Sequence, residues 1–189
     1  MRPAAIGSLA FADSPVPLIG VLFLLPLLAV GAAALTSPRV RAAFVAVPTH
    51  LLIGVNSMRV LGVLFLLLAA EGRLSGPFPY FAGIGDIITG ALAIPLALRA
   101  ARSELVPPAY LKRWNAFGAL DLIVAVSLGM ASANGSPIQL IHAGVGSEAV
   151  QYLPYCLIPT VLVPFYLITH AIVAARLATT RAAPALSRA

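Results

Sequence analysis

Residues 49–70 read THLLIGVNSMRVLGVLFLLLAA. One charged side chain, Arg59, sits near the middle of this stretch. A helix of about 20 apolar residues crosses a hydrocarbon core of about 30 Å, so the stretch is read as a membrane span. An arginine at its centre is unfavourable by about 2.5–3.5 kcal/mol on insertion scales. The span therefore needs partners, and Arg59 needs a reason to be there.

Four further runs of this kind cover residues 16–35, 80–98, 114–131 and 153–175. They are continuously apolar, whereas the strands of a membrane barrel alternate apolar and polar residues. The expected fold is all-α: an integral membrane bundle of five transmembrane helices, one domain over 1–189, ending in a short basic tail at 176–189. Composition agrees. The 189 residues are 60% hydrophobic and 10% charged, with a mean hydropathy of +0.99. A soluble domain is about one quarter charged, so a soluble globular chain and a disordered one are both excluded. Ala32-Ala33-Ala34 resembles a signal-peptide cleavage site, but the segment before it is long and weakly basic. The first helix is read as uncleaved.

The formal charge of +6 could suggest nucleic acid, but its distribution points to topology instead. Arg39 and Arg41 follow the first span, and Arg99, Arg102, Lys112 and Arg113 follow the third. Arg176, Arg181 and Arg188 fill the tail, while Arg2 and Arg73 fall on the opposite side. The positive-inside rule then puts the N-terminus outside and the C-terminus in the cytoplasm. The expected partners are the lipid bilayer, anionic lipid at the cytoplasmic face, and a homo-oligomer or larger membrane complex, with no nucleic acid. Eleven of the twelve basic residues are arginine, which suggests a GC-rich genome and a bacterial inner membrane. Trp114 and Tyr110 are expected in the inner aromatic belt, and Phe78, Tyr80 and Tyr152 in the outer one.

Two aspartates accompany Arg59 inside the spans: Asp86 in the third and Asp121 in the fourth. A rise of about 1.5 Å per residue puts all three within about one turn of the same depth. One guanidinium shared by two carboxylates is the economical arrangement. Asn56, Arg59 and Gly62 recur at i, i+3 and i+6, and Gly83, Gly90 and Gly118 flank the aspartates. Small residues of this kind let helices approach closely. The candidate site is therefore a buried ion cluster of Arg59, Asp86, Asp121 and Asn56.

In the fifth span, Tyr155, Tyr166, Thr169 and His170 fall on one stripe at 100° per residue and are candidates to line a cavity. Pro159 and Pro164 should loosen that helix. His50 and His170 could ligate a haem, the one cofactor considered. Ile138–Val150 could form a short interfacial helix over an outward opening. Cys156 is the single cysteine, so an intrachain disulfide and a CxxC motif are excluded.

Gly83-Ile84-Gly85-Asp86 resembles the GxGD motif of intramembrane aspartyl proteases such as the presenilin-like and prepilin-peptidase families. That resemblance implies a water shared with a second aspartate, Asp121, here following the motif rather than preceding it. The Pro-Ala-Leu triplet of presenilin-like proteins has a counterpart in the tail, Pro184-Ala185-Leu186. Over roughly residues 55–170 the chain also resembles small uncharacterised bacterial multi-pass proteins. The shared landmarks are Arg59-Val60-Leu61-Gly62, Gly85-Asp86, Trp114-Asn115 through Asp121-Leu122, and Leu153-Pro154 through Pro164. This resemblance implies a multi-pass fold and carries no activity. The leading functional expectation is binding or transport of a small molecule or proton through the ion cluster. A non-enzymatic accessory subunit is the alternative, with a haem cytochrome and an intramembrane protease more remote.

Overall fold

The computed structural model describes residues 18–136 and 138–186, with the last seven described for the backbone only. Val16 and Pro17 of the first expected span, Arg2 and Arg188 lie outside these residues. All regular structure among them is helical. The elements are α1 (Leu18–Thr36), α2 (Pro38–Ala46), α3 (Thr49–Gly54), a 3₁₀ segment (Val55–Gly62), α4 (Val63–Ala70), α5 (Phe78–Ala101), α6 (Pro108–Ala131), a 3₁₀ turn (Glu148–Gln151), a π turn (Ile158–Leu162) and α7 (Val163–Leu186). Five helical rods are long and apolar enough to cross a membrane: Leu18–Thr36, Thr49–Ala70, Phe78–Ala101, Pro108–Ala131 and Ile158–Thr179.

The third and fourth rods start earlier than hydropathy alone suggests because prolines set their starts. Pro108 occupies the first turn of α6, where its missing N–H has no intrahelical acceptor to lose. The helix therefore begins six residues before Trp114 and carries Lys112 and Arg113 on its first turns. Pro79 plays the same part in α5. At the fifth rod, proline corrects the expectation in the other direction. Residues 153–156 form turns, and the helix starts as a π turn at Ile158 with Pro159 in its first residues. Pro154 and Pro159 each lack a ladder N–H, so Leu153–Cys156 cannot continue the rod.

The second rod is not uniformly α-helical. Its middle, Val55–Gly62, is 3₁₀, a form with three residues per turn that is uncommon beyond three or four residues. In an α-helix Asn56 and Gly62 would stand about 120° apart at 3.6 residues per turn. In the 3₁₀ form residues at i, i+3 and i+6 eclipse. Asn56, Arg59 and Gly62 are the buried residues of this segment, aligned along one edge toward α5.

α5 is the central helix, packed on α3, the 3₁₀ segment, α4 and α6. Close approach is built into both sides of it. A Cβ on Gly62 would lie 2.5 Å from the Asp86 Cβ, and a Cβ on Gly85 would overlap the Asp121 carboxylate. Two apolar clusters bracket this layer. Phe65, Leu68, Phe78 and Val150 pack at one end. Leu52, Ile53, Ala93, Leu111, Trp114 and Val173 pack at the other. α1 lies against α7 and the π turn but buries none of its residues. Its outer leucines, such as Leu25 and Leu28, are exposed, which suits lipid contact and not water.

The short helix α2 is absent from the sequence reading. Ser37 caps it by accepting from the Val40 N–H at 3.4 Å, and Pro38 follows in the first turn. Arg41 donates to the carbonyls of Ala34 and Leu35 at 3.0 Å each, covering the end of α1. Arg176 of α7 donates to the carbonyls of Phe44, Val45 and Val47 and to Thr49 Oγ1.

Two further expectations are corrected here. Ile138–Val150 forms no α-helix; Gly144 and Gly146 take positive φ values of 53° and 56°, outside the helical region. This segment instead bonds to the Glu71–Pro77 connection, where Ser75 Oγ accepts from the Gly146 N–H at 2.7 Å and donates to the Ala143 carbonyl. Trp114 and Phe78 are not belt residues, since both are buried. Trp114 has core work to do: its Nε1–H donates to the Thr89 carbonyl at 3.0 Å.

Candidate functional site

The guanidinium of Arg59 is the centre of a network between the two apolar clusters. Arg59 is 2% exposed. Its Nε–H donates to Asp86 Oδ1 at 2.6 Å, and its Nη2 to Asp121 Oδ2 at 2.5 Å. The Nε and Nη2 groups present one edge of the planar fork, so one edge meets two carboxylates from two helices. The remaining nitrogen, Nη1, donates to the Gly118 carbonyl at 3.1 Å and to His170 Nε2 at 3.2 Å. The Tyr166 ring lies 5.8 Å from the guanidinium carbon, a cation–π distance.

The hydrogen bond to His170 determines its tautomer. Arginine has no acceptor, so Nε2 of His170 must accept and the ring proton sits on Nδ1. That Nδ1–H then donates to Asn115 Oδ1 at 2.9 Å. The ring also packs on Trp114, with centroids 5.1 Å apart. Both ring nitrogens are thus occupied. In this arrangement His170, one of the two histidines considered for haem with His50, has no lone pair left for a metal.

Asn56 joins the network one 3₁₀ turn from Arg59 rather than bonding it. Its amide donates to the Leu52 carbonyl at 2.9 Å and to Thr169 Oγ1 at 3.2 Å. Thr169 in turn donates to the Tyr166 carbonyl at 2.8 Å. Five rods therefore contribute unequally: the second, third, fourth and fifth meet at Arg59, and α1 does not.

Of the expected stripe, Tyr166, Thr169 and His170 are buried together at the network. Tyr155 is not; it lies in the turns before the π segment, with its ring 5.5 Å from the Arg73 guanidinium carbon. The GxGD aspartate, Asp86, and Asp121 meet at the same guanidinium. Each is engaged by a separate nitrogen of Arg59. Asn115 and the Gly118 carbonyl were missed. Their signal was available: Asn115, Gly118 and Leu122 recur at i, i+3 and i+7 on the buried face of α6.

Asp86 also faces outward from the network. It is the one charged residue lining a cavity of about 640 Å³ among the described residues. The walls come from α1, α6 and the start of the fifth rod, including Phe23, Leu24, Leu122, Val126, Ile158 and Val163. Asn134, Ser136 and Gln151 stand at the loop end. With both carboxylates ionised the cluster carries one net negative charge, and the Arg59 side chain is fully enclosed while 15% of the Asp86 side chain is accessible. The arrangement can therefore offer a carboxylate to a proton, a cation or a hydrogen-bond donor.

Comparison with curated proteins and with solved structures finds no match. A family model does match, over residues 16–178, and covers every residue of the Arg59 network. The chain belongs to that family, described as Domain of unknown function (DUF8737).

Proposed function

We propose that the protein is a single-domain, multi-pass membrane protein that binds a small molecule or proton at the Arg59/Asp86/Asp121 cluster and moves it across the bilayer. The N-terminus is outside and the C-terminus cytoplasmic, in a bacterial inner membrane. The basic connections 37–48 and 99–113 support that orientation through the positive-inside rule, and they face anionic lipid.

The observation that carries the reading is that Asp86 is at once a partner of Arg59 and a wall of the cavity. A purely structural ion pair has no need of an open side. Intramembrane ionisable groups that line cavities mark ion and substrate paths. The 3₁₀ middle of the second rod and the π turn that opens the fifth are irregularities of the kind found along such paths. The test is reconstitution into liposomes with a trapped pH-sensitive dye. Wild-type protein should dissipate an imposed proton gradient, and Asp121→Asn and Arg59→Ala should not. Equal flux in all three would remove the proposal.

A second reading, as accessory subunit of a larger complex, is favoured by α1. It buries no residue within the chain and leaves an apolar face for partner helices. Purification in mild detergent should then recover stoichiometric partners, and a lone stable monomer counts against it.

A further inference from the structure

We infer that the cavity beside Asp86 is a binding site for a lipophilic monocation: an apolar body with one permanently charged or protonated nitrogen or phosphorus centre. The inference rests on the binding reading above and specifies what binds.

Three features converge on this class. The first is size and lining. At about 640 Å³ the cavity falls in the range of small-molecule sites, about 300–1,000 Å³, and its walls are apolar apart from Asp86 and the loop-end amides and hydroxyls. Such walls accept a hydrocarbon or aromatic body and reject a compact hydrated ion. The second is charge. The cluster holds two carboxylates and one guanidinium, and the guanidinium is enclosed behind Asp86. An occupant meets the carboxylate and not the arginine, so a cation is favoured over an anion. The third is aromatic. Phe65 and Phe78 both line the cavity, in an edge-to-face pair with centroids 5.5 Å apart. Ring faces attract a desolvated cation within about 6 Å. One carboxylate and an aromatic pair in the lining of the same apolar cavity suit a soft cation.

The ligand class also explains why Asp86 differs from Asp121. Both are bound to Arg59, but Asp121 sits against Gly85 and takes no part in the lining, while Asp86 does. Asp121 holds the arginine, and Asp86 meets the occupant.

The experiment uses the full chain in a neutral detergent, with tetraphenylphosphonium as probe and tetraphenylborate as its size-matched anion, both followed by equilibrium dialysis. Wild-type protein should bind the cation saturably and the anion at least tenfold more weakly. Asp86→Asn should weaken the cation by tenfold or more. Ala125→Leu, which fills the cavity wall and leaves the ion cluster intact, should weaken it equally; it keeps the test valid if Asp86→Asn fails to fold. Equal binding of cation and anion, or cation binding unchanged in both variants, overturns the inference while the binding reading stands. Absence of cation binding with proton flux still dependent on Asp121 also overturns it and leaves proton movement in place. Absence of both cation binding and flux removes the inference and the function it rests on.

Discussion

Arg59 donates through Nη1 to His170 Nε2 at 3.2 Å, and this contact makes His170 a neutral spacer with its proton on Nδ1. The cluster is therefore a directional chain. It starts at Arg59, which donates to both carboxylates on one side, and on the other side runs through the imidazole and ends on Asn115 Oδ1. A ¹⁵N spectrum of the imidazole at pH 7 should show a protonated Nδ1 and an unprotonated Nε2. The opposite tautomer would mean that Arg59 does not donate to the ring.

Removing one member of the cluster should cost more than removing all of it. Arg59→Met leaves two facing carboxylates unpaired, and breaking a buried pair costs about 3–5 kcal/mol. Replacing the whole set, Arg59→Met with Asp86→Val and Asp121→Val, leaves no buried charge. Such replacements are neutral or stabilising by about 1–4 kcal/mol. Thermal unfolding in detergent should rank the triple variant at or above wild type and Arg59→Met well below both.

Gly85 is the tightest point of the α5–α6 contact. A methyl there overlaps the Asp121 carboxylate, so Gly85→Ala should destabilise by about 1–3 kcal/mol, the usual range for overpacking. Gly31 has nothing within 4 Å of its Cβ position. Gly31 is inside α1, so Gly31→Ala should be neutral or stabilising by up to about 1 kcal/mol. Similar melting temperatures for the two variants would contradict the packing described.

Orientation has its own test. Leu105 and Leu140 are 84% and 81% exposed and lie on connections at opposite ends of the bundle. In a Cys156→Ser background, Leu140→Cys should react with an impermeant maleimide on intact cells. Leu105→Cys should react only after lysis. The reverse pattern would invert the topology.

The charged part of the site was legible because the chemistry leaves few choices. Three charges at one depth in an apolar chain must find one another, and Arg59, Asp86 and Asp121 do. The Asn56–Arg59–Gly62 face was legible too, but not the 3₁₀ backbone that aligns it. Over a single turn, spacings of three fit both helices. The neutral half was harder. His170 and Asn115 carry no charge that demands a partner, so their pairing depends on how α6 and α7 pack. Tyr155 was misplaced because a stripe at 100° per residue assumes the helix persists through Pro154 and Pro159. The short α2 did carry a local signal in Ser37-Pro38, the cap and first-turn proline, outweighed by reading Thr36–Pro48 as a connection.

Whether the cluster works or only holds the fold together is decided most directly by flux through the charge-free triple variant. Wild-type protein and the Arg59→Met/Asp86→Val/Asp121→Val variant are reconstituted at equal density, and decay of an imposed proton gradient is followed with a trapped dye. The variant should be as stable as wild type and show no protein-dependent flux. A folded variant that matches wild-type flux would contradict the account and leave Arg59, Asp86 and Asp121 a structural device.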